Sequence, residues 1–213
     1  DPAEGKVISA LAYHYSTRRI PRFCKEMLFT RDPLEKIAVK VNWLCEESYR
    51  KDRLDIVSIS RSENVGYEKG VLLSKKFIKI VARDGWSIED LNPFFEEYLD
   101  IVRNHCIDAG GSPKDWEDLN QVIVPGRFMD LIPQNIMQKA DGQTVLIDQE
   151  WVLSTPISLG HLIFRAVLCM MESITRFGHM SGGRNLTKDE FVDQIFKIIG
   201  LQSNLDSLPR YKR

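Results

Sequence analysis

No stretch of this 213-residue chain is both long and apolar enough to cross a bilayer. The most apolar helical stretch, Leu162–Met171, is broken by Arg165 and is far short of the ~20 residues a span needs. The start, Asp1-Pro2-Ala3-Glu4-Gly5, has no initiator methionine and no basic-then-apolar signal, and reads as a cut made inside a longer chain. Cysteine is sparse: Cys24, Cys45, Cys106 and Cys169 are widely spaced, without a C-x-x-C pair. In a domain of this size that predicts buried free thiols of a reducing compartment, not a disulfide frame. An excess of one charge is missing too. Lys+Arg total 29 and Asp+Glu 30, a formal net charge of −1, which gives no global reason to expect a nucleic-acid partner. Metal-ligand spacing such as H-E-x-x-H and the G-x-S-x-G nucleophile elbow are both absent. His105 beside Cys106 is no metal pair if the segment is helical, because adjacent residues then lie on different faces.

What is present is the composition of a folded globular domain, 43% hydrophobic and 28% charged. The first third reads as strands over Val7–Tyr13, Phe23–Thr30, Lys36–Trp43, Asp55–Ser60 and Val71–Leu73. Hydrophilic loops such as Arg61-Ser62-Glu63-Asn64 separate them, which predicts an antiparallel sheet of roughly five strands. The remainder reads mostly as helix. Asn92-Pro93 looks like an N-cap with proline at the first helical position, and Phe94, Phe95, Tyr98, Ile101 and Val102 follow at helical spacing. Ile157–Phe177 is expected to form a long buried helix, and Thr187 with Glu190 makes a capping box for a last helix ending before Gly200. The fold class expected is α+β in two lobes: a β-rich lobe over residues 1–75 and an α-rich lobe over residues 76–213.

The informative segment runs from Gly126 to Trp151. Asp130 is followed five positions later by Asn135. A hairpin with an Asp141-Gly142 turn comes next, and then an apolar strand, Val145-Leu146-Ile147, closed by Asp148. Phosphoryl transfer needs these residue types: one carboxylate to orient an acceptor hydroxyl, and an amide oxygen with a second carboxylate to hold magnesium against phosphates. The hairpin folds residues eighteen apart, Asp130 and Asp148, onto one site. Upstream, Ala38 and Lys40 project from one strand face in Ile37-Ala38-Val39-Lys40. Tyr67-Glu68-Lys69-Gly70 falls between the two lobes.

These residues resemble the catalytic and metal-binding loops of the protein-kinase-like superfamily, which includes the aminoglycoside phosphotransferases. The wording Asp130-Leu-Ile-Pro-Gln-Asn135, then Ile147-Asp148-Gln149-Glu150-Trp151, looks most like the kinase domain of bacterial methyltransferase–kinases that terminate O-antigen chains. The resemblance implies Asp130 as catalytic residue, Asn135 and Asp148 as magnesium ligands, and Lys40 on the phosphates of ATP. It implies that the backbone around Glu68 and Gly70 meets the adenine edge. It implies as acceptor the terminal sugar of an O-antigen polysaccharide. A cytoplasmic location is implied too, with peripheral association at the inner membrane through the rest of the chain. Departures are plain. The glycine-rich loop is replaced by Tyr15-Ser16-Thr17-Arg18-Arg19, where Arg18 and Arg19 stand as phosphate contacts. Phe128 occupies the histidine position before the catalytic aspartate, and Asp148-Gln149-Glu150 stands in place of Asp-Phe-Gly. Either Glu46 or Glu47 is placed to pair with Lys40. Two other readings are compatible with the same residues: a small-molecule kinase of the aminoglycoside or choline type, and a pseudokinase serving as a binding module.

Overall fold

The computed structural model describes residues 9–17, 21–32, 34, 36–45, 57–59, 64–183 and 186–202. Strands β1 (Ser9–Ser16), β2 (Lys25–Arg31), β3 (Ile37–Trp43), β4 (Val57–Ile59), β5 (Asn64–Gly66) and β6 (Val71–Leu72) come first, then helices α1 (Ser74–Val81) and α2 (Asn92–Asp108). Strands β7 (Ile123–Val124), β8 (Ile136–Gln138), β9 (Thr144–Leu146), β10 (Trp151–Leu153) and β11 (Ile157–Ser158) follow. Helices α3 (Leu159–Glu172) and α4 (Lys188–Ile198) close the described chain. This is an α+β protein with small antiparallel sheets. It divides into two units: Asp1–Lys69 with Glu150–Ser154, and Gly70–Gln149 with Thr155–Arg213. The division falls at Lys69/Gly70 rather than 75/76, because β6 pairs with β8 and so belongs to the second unit.

In the first unit the main sheet has four strands in the order β1-β2-β3-β5, not the five expected. β5 includes Asn64, which the sequence placed in a loop. β4 leaves this sheet and pairs with β10, a partner roughly ninety residues away in the chain, and no local signal announces such a pairing. Alternation along β3 is clean: Val39 and Val41 are buried, while Ala38 and Lys40 are exposed on the opposite face. On that exposed face Lys40 lies opposite Leu28 of β2 and Asn64 of β5. Glu26 accepts hydrogen bonds from Tyr15 and from Asn42 (2.8 Å), and the two hold its carboxyl below the usual range. The other face carries a buried ion pair between Lys25 and Glu150. Beside it Phe23 meets Trp151 edge-on at 4.9 Å.

The second unit is built on aromatic packing. Phe77 of α1 lies 5.4 Å from Phe94 and 6.4 Å from Phe95 of α2, and 6.2 Å from Phe191 of α4. Each of these rings is nearly inaccessible to water, and full burial of such a side chain is worth about 2–3 kcal/mol. The helical spacing of Phe94, Phe95, Tyr98 and Val102 does place them on one buried face, which Cys106 extends. Asn92 is not the N-cap. A 3-10 turn, Glu89–Leu91, runs straight into the helix, and the cap position falls on Leu91 without a side-chain hydrogen bond. Asp90 instead accepts from the Ser87 amide at 2.9 Å at the start of that turn.

The helix expected over Ile157–Phe177 is shorter at both ends. Ile157–Ser158 pairs with β7, Ser158 caps α3 by accepting from the His161 amide at 3.2 Å, and the helix stops at Glu172. The Thr187–Glu190 capping box forms as expected, with Glu190 N–H to Thr187 Oγ1 at 3.2 Å and the return bond from Thr187 N–H at 2.8 Å. Gly200 follows the last helix at φ 77°. None of the four cysteines is in a disulfide; Cys106 is buried and the other three are half-buried. Among the described residues no helix is long and apolar enough to cross a membrane.

Candidate functional site

The site grows out of the loop between β7 and β8 in the second unit. After Val124 the chain makes a 3-10 turn, Gly126–Phe128, and a second, Pro133–Asn135, before entering β8. Proline presets φ at the first position of the second turn and needs no N–H there. Leu131, Ile132 and Pro133 are buried and fix the loop to the core. Tyr98, fully buried on α2, donates its hydroxyl to the Leu131 carbonyl at 2.7 Å. Burial pushes the Tyr98 hydroxyl well above its ordinary pKa, so it serves as a neutral donor.

β8 and β9 form the hairpin read from the sequence, with Ile136 opposite Leu146 and Gln138 opposite Thr144. Gly142 takes φ 85° in the turn, and Asp141 accepts from the Gln143 amide at 2.9 Å. The strand ends at Leu146, two residues before Asp148, earlier than the sequence implied. The Ile147 N–H donates to the Asn135 carbonyl at 2.8 Å and ties the two loops together.

Asn135 is the joint. Its Nδ2 donates to the Asp130 carbonyl at 3.1 Å and to the Asp148 carbonyl at 3.3 Å. An amide that spends its NH2 on two carbonyls leaves its Oδ1 for a cation. Asp148 is exposed and has φ 51°, the left-handed region, the one such non-glycine among the described residues. That conformation is costly for a side chain with a Cβ and is tolerated best by Asn and Asp. Asn135 Oδ1 and the Asp148 carboxylate are hard oxygen donors. Two such donors suit Mg2+, which completes its shell with water and substrate phosphates. No group of three or more His, Cys, Asp or Glu able to cage a metal occurs among the described residues.

Asp130 is held at both ends. Its carbonyl accepts from Asn135 and also from Gln149 Nε2 at 2.8 Å. Its carboxylate, 3% exposed, accepts from Arg165 at 2.8 Å. Arg165 projects from α3, and its Nε donates to the Met129 carbonyl at 3.3 Å. His161 and Cys169, one turn either side of Arg165, respond to the same surroundings. Burial first, then the Arg165 charge, lowers the His161 pKa, and burial raises that of the Cys169 thiol.

Asp130, Asn135 and Asp148 are thus brought together in one unit. Lys40 lies in the other unit, exposed on β3 beside Ala38. Glu68 is half-buried in the segment that ends the first unit, and Gly70 opens the second. A Cβ at Gly70 would collide with the Gln138 carbonyl oxygen, so only glycine allows this approach to β8. Arg18, Arg19, Glu46 and Glu47 lie outside the described residues. Phe128 has Arg127 over its ring at 5.1 Å and His105 at 6.2 Å. An open groove on α2, lined by Glu96, Asp100, Arg103 and Trp116, lies on the helix face opposite Tyr98 and shares no residue with this cluster.

Sequence reasoning missed Arg165, Gln149 and Tyr98. Arg165 registered only as an interruption of an apolar run. A lone cation inside such a run is itself the signal, because a charge there needs a partner. Compared with protein-family models, curated proteins and solved structures, the chain matches none of them.

Proposed function

We propose that this chain is the kinase-like domain of an ATP-dependent phosphotransferase acting on a hydroxyl of the terminal sugar of a bacterial O-antigen polysaccharide. The observation that supports the reading is Asn135, whose one amide bridges the backbone carbonyls of Asp130 and Asp148 and so brings the three motif residues together. Asp130 orients the attacking hydroxyl and takes its proton. Asn135 Oδ1 and Asp148 hold Mg2+, which neutralises charge on the phosphates when bound. Lys40 contacts the phosphates from the β3 face it shares with Ala38, with the backbone at Glu68–Gly70 on the adenine edge. The sugar acceptor, the location at the cytoplasmic face of the inner membrane and the two-lobed kinase architecture rest on the motif resemblance.

A binding module without turnover is the second reading. It is favoured by the burial of the Asp130 carboxylate against Arg165. The test is transfer of labelled phosphate from ATP to mannose-, galactose- and rhamnose-terminated oligosaccharides, with aminoglycosides and choline as competing acceptors. Transfer that is lost about 10²–10⁴-fold in Asp130→Asn, with ATP affinity unchanged, supports the enzyme. Tight Mg-ATP binding without transfer to any acceptor overturns it in favour of the binding module.

A further inference from the structure

A phosphoryl group in flight carries negative charge that needs a fixed cation on it, besides whatever neutralises the nucleotide. The segment Asp130–Asn135 reads Asp-Leu-Ile-Pro-Gln-Asn and contains no cation. Arg165 reaches that segment from α3, where its neighbours Leu162, Ile163, Ala166 and Val167 are all buried. A guanidinium is costly in such company unless its position is needed and paired. It has five N–H donors in one plane. Two are spent, on Met129 O and Asp130 Oδ1, and no other hydrogen bond of Arg165 is present among the described residues. Solvent access is concentrated on the arginine: its side chain is 28% exposed, against 3% for the aspartate.

We propose that Arg165 is a further catalytic residue, whose remaining N–H donors bind the phosphoryl group during transfer. This rests on the phosphotransfer reading above. In the step, the acceptor hydroxyl oxygen forms a bond to the γ-phosphorus while the bond from that phosphorus to the bridging oxygen of ADP breaks. ADP leaves with the electron pair, and the hydroxyl proton passes to Asp130. Arg165 stays protonated throughout, and its two bonds to the loop keep the guanidinium from following the substrate away.

The experiment has two arms. In the first, Arg165→Lys and Arg165→Ala are compared with the unsubstituted protein for phosphate transfer and for Mg-ATP affinity. Turnover is expected to fall about 10²–10³-fold with ATP affinity within about threefold, and added guanidinium ion is expected to restore part of the Arg165→Ala loss. In the second, which needs no turnover and keeps the native fold, the Nε–Hε resonance of Arg165 is followed by NMR in the metal-free, nucleotide-free protein. Inorganic phosphate is expected to shift it saturably, and chloride at equal ionic strength is expected not to. Transfer by Arg165→Lys at the unsubstituted rate, or no shift with phosphate, overturns this proposal alone. Absence of transfer by the unsubstituted protein overturns the phosphotransfer reading, and this one with it.

Discussion

The Asp130 carbonyl is covered twice, by Asn135 at 3.1 Å and by Gln149 at 2.8 Å, and that redundancy has a measurable signature. Removing Asn135 to alanine takes away two hydrogen bonds, but Asp130 O keeps its bond from Gln149, so of the two carbonyls only that of Asp148 loses the amide donor without this second one in place. A net loss of about 1 kcal/mol is expected, the usual value for one hydrogen bond. Removing Gln149 to alanine likewise leaves Asp130 O with Asn135 and uncovers only Ile147 O (3.1 Å), for a similar loss. With both amides gone, a carbonyl on a buried residue loses both of these donors, which adds a desolvation cost of about 1–3 kcal/mol that neither single change incurs. The double variant should therefore be less stable than the sum of the singles by at least about 1 kcal/mol, or roughly 2–4 °C of extra Tm loss for a chain this size. Thermal denaturation of the four proteins measures it. A coupling within about 0.3 kcal/mol of zero would refute the shared-acceptor geometry. The same variants separate fold from chemistry: magnesium dependence of ATP binding should be lost in Asn135→Ala and kept in Gln149→Ala.

Asp148→Ala should abolish magnesium-dependent ATP binding, read by calorimetry, without loss of fold, since its side chain is exposed. Asp148→Gly should also lose the metal yet raise stability by up to about 1 kcal/mol, because glycine accepts φ 51° without a Cβ clash. Lys40→Met should leave Tm within about 2 °C, since Lys40 is exposed, while turnover falls far more; a Tm collapse with unchanged turnover per folded molecule would make Lys40 structural. Asp84 is held below the usual aspartate range first by the backbone N–H of His179, then by the His179 side chain and the charge of Arg176. A depressed folded pKa contributes stability that is present above the ordinary aspartate pKa of about 3.9 and is lost as pH falls through the lower folded value. Melting curves of Asp84→Asn between pH 5 and 2 should accordingly show a shallower loss of stability on acidification than the unsubstituted protein.

Periodicity carried the elements whose partners are close in the chain. The β1–β2–β3 meander, the buried face of α2, the hairpin at Asp141-Gly142 and the Thr187–Glu190 capping box were legible because each depends on residues a few positions apart. Pairing across long separations was not. β4 joins β10, β5 completes the first sheet and β6 joins β8, and the composition of these two- and three-residue strands does not specify a partner. Asn92 misled for a different reason. A capping residue is recognised by its type, but whether it caps depends on the φ/ψ of the chain that enters the helix, and here a 3-10 turn already holds that chain in helical geometry. At the site, the carboxylates and the amide were legible from their order and spacing. Gln149, Tyr98 and Arg165 were not, because each acts on a backbone carbonyl or a carboxylate supplied by a distant segment.

The spacing itself has a physical origin that composition cannot reproduce. Between Asp130 and Asn135 the chain spends Leu131, Ile132 and Pro133 on the core, and the 3-10 turn Pro133–Asn135 then swings the amide of Asn135 back to the carbonyl of Asp130. Tyr98 reads the backbone of this loop from α2, and Arg165 reads its backbone and its carboxylate from α3. One residue more or less between Asp130 and Asn135 would rotate the amide away from both carbonyls, or draw Leu131 off Tyr98, with the composition unchanged. The motif is therefore a register. It encodes the distance at which a core-anchored loop can turn once and return the Asn135 amide to the Asp130 carbonyl, where the same amide also meets the carbonyl of Asp148.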